Sequence, residues 1–406
     1  MTKNEPFEIL KQINYIRASG SAKEKEAAIH LQGLLKNWGL NAWLEEFEVP
    51  LYKVEEAFIS AKGKTYAASP LRNSPAIDIE APFYYVDQLR EADFATCQGG
   101  VVLTQSVKAS HDKLKDSGIK GILLAEGRAI DPPSYRHPQG NGFDFEAYLS
   151  NVPTLRIHIQ DALQLLKEEV KTVHFKLQAI TYKGTSQNVV ADVPGAVAET
   201  LLVGGHYDSV PEGPGIRDNG GGSAIVASMA YYFSKHPLTR SLRFIFFGAE
   251  EIGLYGSRDY IKRHRDELSK YPMLMNIDVA GSAIGSNHIM VQGYNDLVRQ
   301  MCKCVAELNY PAEVNARMVG SDSTPFGVAG VPSFMIARGS HPGLSFNHTK
   351  DDRIEFVDPK QLDAMAEFCI ESLKLIDSRH KLAFRRGLTP KLTKEYEKRM
   401  KLLYGE

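Results

Sequence analysis

LLVGGHYDSVPEGPGIRDNGGGSAIVASMAYYFSKHPLTRSLRFIFFGAEE, residues 201–251, decides the fold. The runs at either end, ETLLVGGH (199–206) and SLRFIFFGAEE (241–251), are apolar almost throughout. Strands read this way when helices cover both faces of their sheet. Between them, GGGSAIVASMAYYFSKH (220–236) has helical spacing. The alternation continues downstream. Strands are expected at QNVVADV (187–193), YPMLMNIDVAG (271–281), NHIMVQG (287–293) and VPSFMIARG (331–339). Helices are expected at GSRDYIKRHRDEL (256–268), YNDLVRQMCKCVAEL (294–308) and DPKQLDAMAEFCIESLKLID (358–377). Such alternation implies an α/β domain with a mostly parallel central sheet flanked by helices.

Upstream, PFEILKQINYIRA (6–18) and the segment capped by Ser21 and closed by Gly39 read as a helix pair that completes this domain. The expected division is residues 1–52 with 183–378 as one domain and 53–182 as a smaller inserted β-rich α+β domain. The insertion holds strand-like GGVVLTQ (99–105) and GIKGILLAEG (118–127), the helical SHDKLKDSGI (110–119) and the loop RAIDPPSYRHPQGNGFDF (128–145). His111, His137, His158 and His174 lie there without a carboxylate at ligand spacing and read as surface or core histidines. Residues 379–406 carry nine Lys or Arg against three Glu, a net of +6, and read as a solvated basic helical tail.

With a net charge of -1 over 406 residues, the chain lacks the broad positive field a nucleic-acid binder needs. No stretch approaches the roughly 20 apolar residues of a membrane span. The first 20 residues do not read as an export signal, so a cytoplasmic location is expected. Four cysteines without CxxC spacing read as reduced thiols, with Cys302 and Cys304 packed in a helix.

The chemistry sits at strand ends. His206 closes one strand with Asp208 two residues on, so an extended chain sends both side chains to one side. A ligating histidine commonly donates its other ring nitrogen to such a carboxylate, although HxD alone also suits a structural histidine. Asp218 and Asn219 precede a glycine-rich helix entry and could simply cap it. A phosphate loop is excluded by the lack of GxGxxG or GKS/GKT and by an Asp where anions would bind. FIFFGAEE brings Glu250 and Glu251 straight off an apolar strand, one carboxylate able to ligate a metal while its neighbour handles a water proton. Asp278 ends another apolar run, and FNHTKDD supplies His348 with Asp351 or Asp352 nearby. In open α/β sheets such strand-end residues converge on one rim. Two histidines and three carboxylates, taken with two divalent cations and a bridging hydroxide, sum to about zero charge. This donor set suits zinc, with cobalt or manganese as further occupants.

In this order the motifs resemble the co-catalytic dizinc aminopeptidases, whose distant relatives include glutamate carboxypeptidase and glutaminyl cyclase. The resemblance spans roughly residues 5–52 and 183–378, and the insertion resembles a protease-associated domain through GGVVLTQ, GIKGILLAEG and NVPTLRIHIQDALQLL. It implies a zinc exopeptidase fold and a metal-dependent hydrolase that removes N-terminal residues from peptides bearing a free amine. It makes His206, Asp278 and the bridging Asp218 the ligands of one zinc, and Asp218, Glu251 and His348 those of the other. Glu250 becomes the general base, Asp208 and Asp352 the supports of the two ligand histidines, and the peptide after Asp218 cis. Relatives often carry Tyr where Asn347 stands, and Arg-Ser-Asp-His where Gly320-Ser321-Asp322-Ser323 stands. Pocket walls are expected after Glu251, at 320–326 and at 338–346. Glutaminyl cyclase-like or carboxypeptidase-like amide chemistry and an inactive peptidase-like binding protein are the alternatives. A homo-oligomer is compatible with any of them.

Overall fold

The computed structural model describes residues 3, 5–71, 73–109, 111–127, 152–340 and 347–404. It divides into two compact units, Met1–Val49 with Gly184–Glu397, and Pro50–Lys183 with Lys398–Glu406.

The first unit begins with α1 (Glu5–Gln12) and α2 (Ala22–Asn37), followed by β1 (Asn41–Ala61). The chain returns through β2 (Thr172–Val193), β3 (Val197–His206), α3 (Gly221–Lys235), β4 (Arg240–Phe247), α4 (Tyr255–Arg263) and β5 (Leu274–Ile277). Then come β6 (Gly285–Gln292), α5 (Asn295–Glu307), β7 (Ala312–Ala316), α6 (Ser323–Val328), β8 (Ser333–Ser340), α7 (Pro359–Asp377) and α8 (Pro390–Tyr404). The sheet order is β7-β6-β8-β5-β3-β4-β2. Strands β4, β3, β5 and β8 run parallel, whereas β2 on β4 and β6 on β8 are antiparallel.

Side chains of the central strands alternate between two dry faces. Leu201, Val203, Phe244, Phe246, Met275 and Ile277 join one apolar core, and Leu202, Ile245, Phe247 and Leu274 the other. That is why these strands are apolar at consecutive positions. In register, His206 faces Phe247 and Gly204 faces Asn276, so β3, β4 and β5 end nearly level. Gly205 is required in this layer, since a Cβ there would sit 2.6 Å from the Ile277 carbonyl oxygen.

Helix α2 starts as its sequence predicts. The Ser21 hydroxyl accepts the Glu24 amide at 3.1 Å, and Ala27, Leu31 and Leu35 are buried. Ser21→Ala should cost about 1 kcal/mol of unfolding free energy in urea. A loss below a few tenths would mean the cap contributes nothing.

Several expectations are corrected. The first helix stops at Gln12 rather than running to residue 18. Main-chain oxygens of Ile13 and Tyr15 instead turn to the Arg17 guanidinium. The helical tail expected from residue 379 is shorter, and residues 379–389 are not helical. Leu382 joins the core, Arg386 donates to the carbonyls of Tyr271 and Leu268, and helix begins only at Pro390. All four cysteines are free, as expected, but Cys302 is exposed on α5 while Cys304 packs inward.

The second unit has a parallel ladder of Ile77–Tyr85, Val101–Thr104, Gly121–Glu126 and Thr154–His158, followed by the helix Ile159–Lys167. Its apolar side chains form their own clusters, around Phe175 and around Ile122. His158 caps that helix by accepting the Gln160 amide. His174 does have a carboxylate partner, Asp78 at 2.6 Å, supplied across the antiparallel strand pair rather than by sequence spacing. His137 and the loop 128–145 lie outside the described residues.

Candidate metal centre

Four chain turns leave the level ends of β3, β4 and β5 or face them. His206 is the last residue of β3. Asp218 lies in the irregular turn Ile216–Gly220 that enters α3, and its peptide bond to Asn219 is cis. Asn219 pins this turn to the sheet: its amide donates to the Ile277 carbonyl, and its oxygen accepts the amides of Gly222 and Val279. Of the two residues readable as helix caps, Asn219 thus acts on the helix and leaves the Asp218 carboxylate available. Gly222 permits the contact, because a Cβ there would lie 2.1 Å from the Asn219 oxygen.

Backbone conformation marks the other turns that carry candidate ligands. Ala249, Val279 and His348 have φ of 52°, 65° and 57°, a left-handed region disfavoured for side chains with a Cβ. Val279, β-branched, is held there by Asn219 and by the Arg338 amide donating to its carbonyl at 2.7 Å.

The ligand atoms fall into two groups that share Asp218. His206, Asp218 and Asp278 form one, and Asp218, Glu251 and His348 the other, each within 4.8 Å. His206 Nε2 is 3.2 Å from Asp218 Oδ1 and 3.4 Å from Asp278 Oδ1. His348 Nε2 is 3.2 Å from Asp218 Oδ2 and 3.0 Å from Glu251 Oε2. The two oxygens of Asp218 therefore face different histidines. Glu250 Oε2 stands 4.0 Å from His206 Nε2.

The supporting carboxylates act on main chain more than on the histidines. Asp208, fully buried, lies 3.5 Å from His206 Nδ1, but it accepts the Glu250 and Glu251 amides at 3.1 and 3.2 Å. Asp352, expected behind His348, instead accepts the Arg217 and Asp218 amides and the Arg217 guanidinium. It thereby fixes the turn that presents Asp218. Ser321 donates to Asp278 and in turn accepts the Asn276 amide, a support that its place in the GSDS stretch does not announce. Asn347 donates to Asp218 Oδ2 at 3.0 Å. Of the expected pocket walls, 341–346 lie outside the described residues.

The charge balance calls for cations. Burial opposes charge on both histidines, yet Glu250 and Asp278 around His206, and Glu251 and Asp218 around His348, hold both well above the ordinary imidazole range. Burial raises Glu250 well above the usual carboxylate range; His206 opposes this, and Asp278, Asp322 and Glu251 add to it. Burial likewise raises Asp322, to about 8. Burial would raise Asp218 too, but hydrogen bonds from His206 and His348 hold it below its ordinary value. Among the described residues, the ion-pair partners of Asp218, Glu251 and Asp278 are histidines. Buried His206 Nδ1 and Glu251 Oε1 make no hydrogen bond there. A donor set of two imidazoles and three carboxylates that must hold protons to balance itself fits divalent cations with N/O preference.

Residues 188–373 match Peptidase family M28. Aminopeptidase YwaD of Bacillus subtilis (strain 168) is 26% identical over 366 residues, covering 85% of this chain and 78% of that protein. Carboxypeptidase Q of Mus musculus is 25% identical over 380 residues, covering 86% and 80%. Among solved structures, BSAP, a zinc aminopeptidase from Bacillus subtilis, superposes with a TM-score of 0.78 at 22% identity, over 96% of this chain and 98% of that one. The mixed α/β sheet is thus the fold of that structure. The stretch similar to peptidase family M28, residues 188–373, contains all five candidate ligand positions.

Proposed function

We propose that the protein is a two-zinc aminopeptidase that hydrolyses the first peptide bond of peptides with a free N-terminus. The observation that carries this reading is the pair of three-residue groups sharing Asp218, with Glu250 beside them. His206, Asp278 and Asp218 would hold one zinc, and Asp218, Glu251 and His348 the other. When bound, zinc supplies Lewis acidity, lowering the pKa of water and polarising a carbonyl. Glu250 takes the proton of the attacking water and passes it to the leaving amine. Asp208 holds the main chain of Glu250 and Glu251 in place, and Asp352 that of Asp218. The second unit is read as a protease-associated-like domain.

The test is hydrolysis of a Leu-anilide beside its N-acetylated twin. Cleavage of the free amine alone, abolished by chelator and restored by zinc, is expected. Similarity to carboxypeptidase Q keeps a second reading in play, recognition of the substrate's other end. Release of the last residue from an N-acetylated peptide, with the free-amine anilide uncut, would replace the first reading with the second.

A further inference from the structure

The link between α1 and α2 carries no ligand, yet it grips the turns that do. Arg17 is fully buried, and its guanidinium donates to five main-chain carbonyl oxygens. Two belong to its own segment, at Ile13 and Tyr15. The other three lie in the loop between His206 and Asp218: Tyr207 at 2.6 Å, Pro214 at 2.8 Å and Gly215 at 3.1 Å. The Arg17 main chain is also bonded to Ser209 in both directions, amide to hydroxyl at 2.9 Å and carbonyl to amide at 3.1 Å. A guanidinium presents its donors in a fixed fork, so these carbonyls are held at set positions relative to one another.

Two neighbours extend the grip to the glutamates. The Ser19 hydroxyl donates to Asp208 Oδ2 at 2.6 Å, and Asp208 is the group that accepts the amides of Glu250 and Glu251. Glu24, buried at the start of α2, accepts the Ala249 amide at 3.2 Å and the Ser186 hydroxyl at 2.6 Å, and its other oxygen takes the Gly20 amide at 2.6 Å. The loop leading to Asp218, the support of His206 and the turn before Glu250 are thereby tied to one stretch of eight residues, 17–24.

We propose that residues 17–24 are a positioning clasp whose contacts through Arg17, Ser19 and Glu24 set the zinc affinity of the centre without ligating it. The inference rests on the two-zinc reading above. Groups one bond removed from metal ligands typically govern affinity by about 10- to 100-fold.

The experiment uses the full chain stripped of metal, with zinc affinity measured by competition against a chromophoric chelator and the visible spectrum recorded after cobalt(II) loading. Ser19→Ala removes one hydroxyl from a half-buried position and should fold where Arg17→Ala does not. Because Ser19 acts through Asp208, it is expected to weaken zinc binding by about tenfold, the lower end of that range, and to change the cobalt spectrum. Ser19→Thr, which keeps the hydroxyl, should restore both. If wild type binds zinc and Ser19→Ala binds it equally well, the clasp is refuted alone. A wild-type protein that binds no zinc refutes the two-zinc reading and the clasp with it.

Discussion

Glu250→Gln should lower turnover by about 10²- to 10⁴-fold, the usual contribution of a positioned proton-transfer group, while zinc content per chain stays at the wild-type value. The substitution keeps the side chain's size and leaves the Glu250 amide on Asp208 untouched. It removes only the ability to take a proton. No ligand group includes Glu250, which explains why metal should be retained. The measurement pairs steady-state hydrolysis of the Leu-anilide with zinc analysis of the same preparation. Turnover within tenfold of wild type would remove Glu250 from the proton-transfer role.

Removing Asp218 should have the larger effect on binding. Its two oxygens serve both groups, 3.2 Å from His206 on one side and 3.2 Å from His348 on the other. Asp218→Ala is therefore expected to take zinc from about two ions per chain to near none, whereas Asp278→Ala should lose only the ion of its own group. Thermal unfolding gives a second readout. Zinc at a hundredfold excess over its dissociation constant stabilises a folded chain by about 2.7 kcal/mol per site, and Asp218→Ala should lose that dependence. If Asp218→Ala and Asp278→Ala retain the same zinc content, the shared-carboxylate arrangement is wrong.

Four of the site residues legible in the sequence share one property: an ionisable group closes or directly follows an apolar strand. His206, Glu250, Glu251 and Asp278 announce themselves because nothing in the local chain explains a charge there, and the level ends of β3, β4 and β5 then bring them to one edge. Local sequence could not show what each support touches. Asp352 stands four residues from His348 and reads as its partner, but the fold turns it toward Arg217, 135 residues away. Nothing in the local sequence marks Arg17, Ser19 and Glu24, since their partners lie some 160 to 225 residues downstream. Helix α6 is not announced because GSDSTPF has the composition of a loop, and β7 because its residues alternate between exposed and half-buried at the sheet edge.

Those long separations carry a kinetic meaning. Contacts between Glu24 and Ala249 close a loop of 225 positions, and closing such loops costs entropy before any bond repays it. Strands β3, β4 and β5 with the intervening α3 can assemble from neighbouring sequence, but the segment that holds their turns, residues 17–24, lies some 160 to 225 positions upstream of its partners. In a refolding chain the contacts of residues 17–24 are therefore expected to form after the local contacts of the sheet. On the two-zinc reading, zinc affinity is then expected to develop late in refolding, together with the contacts of residues 17–24.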